Sequence, residues 1–202
     1  MKKVTALFSI FIFAIGGYAQ SIADLFKAFP YKQPGTLFKD LPNNRVYADN
    51  RSGYMNIENI SDMTTEQSFA SFTKKDGSKI YGYRYYENGG VEYESIYNTR
   101  FYKFEEGKWK EVPQILLLLG YDTFWGNVTP MPPKEYLHKF VIDYELPRSG
   151  NVMLVRLRQQ HIFPEDKLDK ALLQQYAKQF RYKQIQLIWN VDKGVFELGK
   201  KL

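Results

Sequence analysis

The sequence predicts an α+β domain: a mostly antiparallel β-meander with one packed amphipathic helix at about 165–181 and a short N-terminal helix. Three observations carry this. Short alternating segments rich in Tyr, Phe and Val are separated by turns containing Gly, Asp and Asn. One stretch near residues 165–181 instead repeats its apolar residues at four-residue spacing. Composition is that of a folded chain, with 44% hydrophobic and 25% charged residues over 202 positions, which excludes wholesale disorder. Aromatic content is high, with 16 Tyr, 15 Phe and 3 Trp making 17%.

Each element has its own signal. Ile22, Leu25, Phe26 and Phe29 recur at helical spacing, and Pro30 ends that short helix. Pro34-Gly35 and Leu41-Pro42-Asn43-Asn44 read as loop, so residues 30–44 are expected to be irregular. Ser68 to Thr73 leads into the hairpin turn Lys75-Asp76-Gly77-Ser78. Lys79 to Tyr85 then alternates, placing Tyr81, Tyr83 and Tyr85 on one face. Glu87-Asn88-Gly89-Gly90 is another turn, and Val91 to Tyr97 alternates again. Arg100 to Phe104 and Lys108 to Val112 flank the turn Glu105-Glu106-Gly107. Consecutive short strands with tight turns favour an antiparallel meander.

Ile115 to Leu119 is an apolar run expected to be a buried turn of helix or strand, followed by a long Pro-containing loop to residue 136. A helix is expected over Lys134 to Phe140. Strands resume at Val141 to Glu145 and Val152 to Arg158, joined through Leu146-Pro147-Arg148-Ser149-Gly150-Asn151. Pro164 opens the main helix, whose predicted core stripe is Leu168, Leu172, Tyr176 and Phe180. A terminal hairpin closes the chain, with strands Gln184–Asn190 and Val195–Leu198 around Asp192-Lys193-Gly194. No Ser/Gly-rich linker or composition shift divides it, so residues 20–202 are expected to form a single domain.

The residue inventory excludes several chemistries. Cysteine is absent, which removes disulfides, thiolate metal sites and cysteine nucleophiles together. The two histidines, His138 and His161, are separated by 22 residues with no His-Glu-x-x-His, so no metal site is expected. No serine occupies Gly-x-Ser-x-Gly. Asp49-Asn50-Arg51-Ser52-Gly53 puts an arginine where a calcium loop needs an acid, and reads as a polar turn. Gly194 to Lys200 matches Gly-x4-Gly-Lys but has no helix to follow it, and no cofactor is expected. Glu92 and Glu94 share a strand face and read as a solvated surface.

Aromatics remain as candidate binding groups. Tyr81, Tyr83, Tyr85, Tyr93 and Tyr97 form either a stacking platform or a sheet face packed under a helix. The stronger candidate is the loop Tyr121-Asp122-Thr123-Phe124-Trp125-Gly126-Asn127, whose rings Tyr121, Phe124 and Trp125 lie beside Gly and Pro. Trp125 there either anchors the loop or offers a flat face to a ligand.

Residues 1–19 have the layout of a secretory signal peptide. Lys2 and Lys3 form a positive start, Val4 to Ile15 is an uncharged apolar run, and Gly17-Tyr18-Ala19 supplies small residues before Gln20. A spanning helix wants about 20 apolar residues, and this run stops at Gly16-Gly17. No later segment approaches that length, so no transmembrane segment is expected in the mature chain. The net charge of +6 would fall by the two lysines removed with the signal, which argues for solubility and against nucleic-acid binding.

The chain resembles the small secreted proteins of unknown function common in Bacteroidetes. The resemblance rests on Tyr18-Ala19-Gln20-Ser21, the aromatic meander, Leu146-Pro147-Arg148-Ser149-Gly150 before a strand, and the Leu187-Ile188-Trp189-Asn190 strand with its Lys193-Gly194-Val195-Phe196 turn. It implies a periplasmic or surface location and no established activity. The expected function is therefore that of an exported, non-catalytic binding or envelope-structural domain. Its partner would be an envelope glycan, a peptide or a protein. The alternative is a hydrolase of envelope or dietary polymers.

Overall fold

The computed structural model describes residues 21–32, 44–59, 64–88, 95–126, 130–161 and 168–202. Its ten strands form two antiparallel sheets, each a meander in which every strand pairs with the next in sequence. The first sheet holds β1 (Asn44–Asp49), β2 (Tyr54–Asn59), β3 (Thr65–Thr73), β4 (Lys79–Glu87), β5 (Ile96–Glu105) and β6 (Lys108–Glu111). The second holds β7 (Phe140–Glu145), β8 (Val152–Gln159), β9 (Gln184–Asn190) and β10 (Val195–Lys201). Four short helices accompany them: α1 (Ile22–Ala28), α2 (Tyr121–Trp125), α3 (Lys134–Leu137) and α4 (Lys170–Gln179). The α+β meander is thus present.

Tight turns set the registers. At the β5–β6 turn both central residues, Glu106 and Gly107, have positive φ, the primed geometry whose twist suits a two-residue hairpin. It brings Phe104 opposite Trp109, with ring centroids 5.0 Å apart. The β9–β10 hairpin repeats the device with Phe196 opposite Trp189 at 5.2 Å.

The central strands of the first sheet are buried on both faces. On one, α1 lies over Met55, Ile57, Phe69, Tyr81, Tyr83 and Tyr102. Ser21 caps this helix by accepting a hydrogen bond from the Asp24 amide at 3.1 Å, and Phe29 packs on Phe69, Tyr83, Tyr102 and Trp109. Tyr81, Tyr83 and Tyr85 therefore belong to a packed face beneath a helix. Tyr97 sits on the opposite face, and Tyr93 lies outside the described residues. That opposite face meets the second sheet: Phe72 touches Trp189 and Phe196, and the Trp189 indole donates to the Thr73 carbonyl at 3.0 Å.

Several elements differ from expectation. Strands β1 and β2 arise in a stretch that alternation did not mark, because β1 is exposed along both faces. The strand expected at Val91–Tyr97 is described only from Ile96, where it continues unbroken through residues 100–104 as β5; residues 89–94, with Glu92 and Glu94, lie outside the described residues. The expected helix at 134–140 stops at Leu137, because Phe140 starts β7. Ile115 closes a 3-10 turn and is buried, whereas Leu118 is exposed.

The main helix is shorter than predicted and differently rotated. Residues 162–167 lie outside the described set, and Asp169 is the N-cap, accepting from the amides of Ala171 and Leu172 at 2.8 and 3.1 Å. With the helix starting at Lys170, the fully buried position is Leu173, followed by Ala177 and Phe180 on the core side. Leu172 and Tyr176 are only half-buried. Leu173→Ala is expected to cost about 2–5 kcal/mol in denaturant unfolding, and Leu172→Ala distinctly less. The reverse order would restore the stripe read from spacing alone.

Candidate functional site

The inter-sheet face of the first sheet changes character along its strands. One cross-strand row is Tyr54, Ala70, Gly82 and Phe101, which is apolar. The next row is Asn56, Ser68, Arg84 and Thr99, and the row beyond is Glu58, Glu66, Tyr86 and Tyr97. Two residues along β4, a hydrophobic seam becomes a charged one. Gly82 marks the boundary for a steric reason: a Cβ there would meet Leu146 Cδ2 at 2.8 Å and Phe101 Cε1 at 3.0 Å. Its bare backbone lets Leu146 seat against the sheet, which brings the β7–β8 turn, with Pro147, Arg148 and Ser149, over the charged end.

At that end a buried carboxylate joins the sheets. Asp143 of β7 is buried and accepts from Arg84 of β4, Nε to Oδ1 and Nη2 to Oδ2, both at 3.1 Å. Arg158 of β8 donates its Nε to Asp143 Oδ2 at 2.8 Å. Arg84 is itself 4% exposed and gives its third nitrogen, Nη1, to Glu66 at 3.2 Å. Glu145 accepts from Arg158 Nη2 and, at 2.5 Å, from Arg156 Nη1. Burial opposes the charge on Arg84, but the hydrogen bonds to Asp143 and the fields of Asp143, Glu66 and Glu145 outweigh it and raise its pKa. The pKa of Arg158 is raised likewise, its burial outweighed by the hydrogen bond to Asp143 and the charges of Asp143 and Glu145.

Above this knot lies a cavity of about 510 Å³, a size that suits a small ligand. Its walls come from both sheets. Tyr54, Glu66, Ser68, Arg84, Tyr86 and Tyr97 belong to the first, while Glu145, Arg158 and the β7–β8 turn belong to the second. The Tyr86 and Tyr97 rings stand 5.0 Å apart, with the Arg84 guanidinium 5.5 Å from the Tyr86 centroid and that of Arg158 6.0 Å from the Tyr97 centroid. Burial pushes the Tyr54 hydroxyl pKa upward and the Glu66 charge adds to it, while Ser68 and Arg148 pull the other way. Arg148 is exposed at the rim, and no carboxylate among the described residues lies within ion-pair distance of it.

No protein-family model matches the chain, and no curated protein does. The fold has a counterpart in a solved structure, a domain of an uncharacterized protein from Porphyromonas gingivalis W83. It aligns with a TM-score of 0.51 at 11% identity, covering 79% of this chain and 81% of that one. The likeness is one of fold. Its source is a Bacteroidetes bacterium, in keeping with the resemblance drawn from the sequence.

The predicted binding loop stands elsewhere. Tyr121, Phe124 and Trp125 form the single turn α2, and none of them lines the cavity. The Tyr121 hydroxyl donates to the Phe140 carbonyl at 2.7 Å; Phe124 is fully buried, and Trp125 is 3% exposed with its ring edge-on to Phe180 at 5.1 Å. The segment after α4 pins the turn, Tyr182 donating its amide to the Phe124 carbonyl at 3.0 Å. The placement of Trp125 is that of an anchor. His138 and His161 are exposed and line none of the cavity. Among the described residues, no three His, Asp or Glu side chains are grouped to hold a metal ion. Asp49–Gly53 is a turn, and Gly194–Lys200 is turn and strand.

The charged knot has a signal in the sequence. Asp143-x-Glu145 and Arg156-x-Arg158 are alternating charges of opposite sign on adjacent strands, and antiparallel pairing sets Asp143 opposite Arg156. Arg84, between Tyr83 and Tyr85, points to the face opposite those rings, and alternation alone gives that. What the sequence lacks is the docking of one sheet on the other.

Removing the carboxylate leaves Arg84 buried and charged without its main partner. Asp143→Ala is expected to cost about 3–5 kcal/mol, while the paired replacement Arg84→Met with Asp143→Leu costs much less. Denaturant titration of the two variants checks this; equal losses would mean that packing, not charge, governs the site.

Proposed function

We propose that this protein is an exported, non-catalytic binding domain that takes a carboxylate-bearing ligand into the cleft between its two sheets. The observation that carries this reading is Arg148, a guanidinium at the mouth of a cavity whose deeper arginines are already held by Asp143, Glu66 and Glu145. A planar guanidinium fork suits a carboxylate, and the tyrosine walls add apolar contact around it. Envelope glycans bearing acidic sugars and acidic peptides both supply such a group.

The cleft also contains two carboxylates, Glu66 and Glu145, which is the observation favouring the hydrolase alternative. Each is engaged by arginine, and neither histidine stands by to relay a proton. The arrangement therefore suits holding a ligand better than cleaving it.

Export rests on the layout of residues 2–20. N-terminal sequencing of protein recovered from an envelope fraction is expected to start near Gln20, and a cytoplasmic protein starting at Met1 would overturn the localisation.

Binding is tested by calorimetry against acidic oligosaccharides, acidic peptides and their neutral counterparts. Acidic ligands are expected to bind and neutral ones not, and Arg148→Ala should weaken binding by roughly tenfold, worth about 1.4 kcal/mol, with the melting temperature nearly unchanged. Release of shortened chains during incubation would instead favour the hydrolase.

A further inference from the structure

A second concavity lies at the other end of the same seam. Along β3 and β4 the arginine cleft takes Glu66, Ser68, Arg84 and Tyr86, whereas this one takes Lys74, Lys79, Ile80 and Tyr81. Its volume is about 500 Å³, and the β9–β10 turn, through Lys193 and Gly194, forms the opposing wall. Two hairpin tips are locked together here. The Lys75 amide donates to the Val191 carbonyl at 3.0 Å, the Lys75 ammonium meets Asp192 at 2.8 Å, and the Lys74 stem lies so close over Gly194 that a Cβ there would strike it.

Lysine predominates in the lining of this concavity. Its lining holds Lys74, Lys79, Lys103 and Lys193 against a single acid, Glu105. Partners outside the lining offset part of this: Lys74 lies 3.6 Å from Asp76, and Lys193 lies 2.7 Å from Glu197. Glu105, though, is shared by Lys103 at 2.8 Å and Lys110 at 3.9 Å, and Lys79 has no carboxylate within reach among the described residues. The Lys103 hydrogen bond holds the Glu105 carboxyl below its usual range, and the charges of Lys103, Lys110 and Lys74 add to the effect. The lining lysines come from three separate hairpins and from both faces of the first sheet, since by alternation Lys79 shares a face with Tyr81 and Lys103 shares one with Phe101. A concave site with walls of one sign concentrates ions of the other.

We infer that this lysine cleft is a second binding site, for a polyanion carrying phosphate or sulfate groups. Ammonium groups are compact point charges with no preferred plane, and several around one hollow neutralise a tetrahedral, multiply charged group better than a single planar carboxylate. Ile80, Val112 and Ile115 supply an apolar floor, and Ser78 and Gln114 add uncharged polar groups beside the lysines. The site is independent of the arginine cleft, with which it shares no residue.

The test uses the full chain in calorimetry with tripolyphosphate, a sulfated oligosaccharide and polyglutamate of matched charge. Tripolyphosphate or the sulfated sugar is expected to bind, each identifying its own source of the anion, and polyglutamate to bind at least tenfold more weakly. Lys79→Gln with Lys103→Gln is expected to weaken binding at least tenfold, with folding checked by an unchanged circular-dichroism melt. Lys178→Gln with Lys200→Gln removes the same charge from α4 and from the far end of β10, and is expected to leave affinity within twofold. No binding by the wild-type chain, equal binding of polyglutamate, or equal losses in the two double variants would each overturn the proposal.

Discussion

The buried carboxylate of Asp143 is the constraint on which the arrangement of the two sheets depends. A carboxylate removed from water must be surrounded by donors, and here three guanidinium hydrogen bonds reach it from two strands. Only one alignment of the sheets supplies them. Side chains alternate along β4, so a slip of one residue would turn Arg84 into the tyrosine face under α1 and bring a tyrosine towards Asp143. Its value is therefore more in excluding other alignments than in net stability, since desolvation consumes much of the attraction between buried ions. Gly82, two residues before Arg84, does the same by shape, admitting Leu146 where any side chain would collide.

Packing on both faces of the first sheet accounts for much of the chain's aromatic content. Its central strands need two sets of large side chains, and rings fill them: Phe26, Phe29, Phe69 and Tyr83 on the α1 side, Phe72, Phe101, Trp189 and Phe196 between the sheets. Tyrosine serves on the α1 side because its hydroxyl can still find a polar partner near an edge, as Tyr83 does with Gln67 at 2.8 Å and Tyr85 with Glu87. Burial raises the hydroxyl pKa of Tyr81, Tyr85 and Tyr102. Of the rings that could form a ligand platform, Tyr81, Tyr83 and Tyr85 are committed to packing, whereas Tyr97 lines the arginine cleft.

Legibility in the sequence followed the range of the interaction. Hairpins at 74–78, 105–108, 146–151 and 190–195 were readable because turn chemistry and alternation are local. The meander order then followed, since neighbours in sequence pair. The phase of α4 was not, because which helix face is buried is set by the sheet it docks on, and Leu173, Ala177 and Phe180 meet the core in place of Leu172 and Tyr176. Strand β1 was hidden by its lack of a buried face, and the ligand-loop reading of Trp125 rested on composition, which cannot say whether a ring turns inward. Both clefts were beyond reach for one reason. Each is built from strands of two sheets more than 50 residues apart in the chain, as the Arg84–Asp143 pair, 59 residues apart, illustrates.

The two clefts follow from how twisted sheets pack. Faces that diverge with twist can make continuous apolar contact only over a central stretch, here the rows containing Phe72 and Phe101. At either end the sheets part, and the side chains there face water across a gap. One end carries three arginines with Glu66 and Glu145 over a buried acid, and the other carries four lysines with Glu105. Guanidinium forks held at set angles favour one planar group in one orientation, whereas mobile ammonium groups favour density of charge with little regard to orientation. On the two readings proposed above, the same packing seam would offer a geometrically selective site and an electrostatically selective one, with the apolar core between them keeping the two apart.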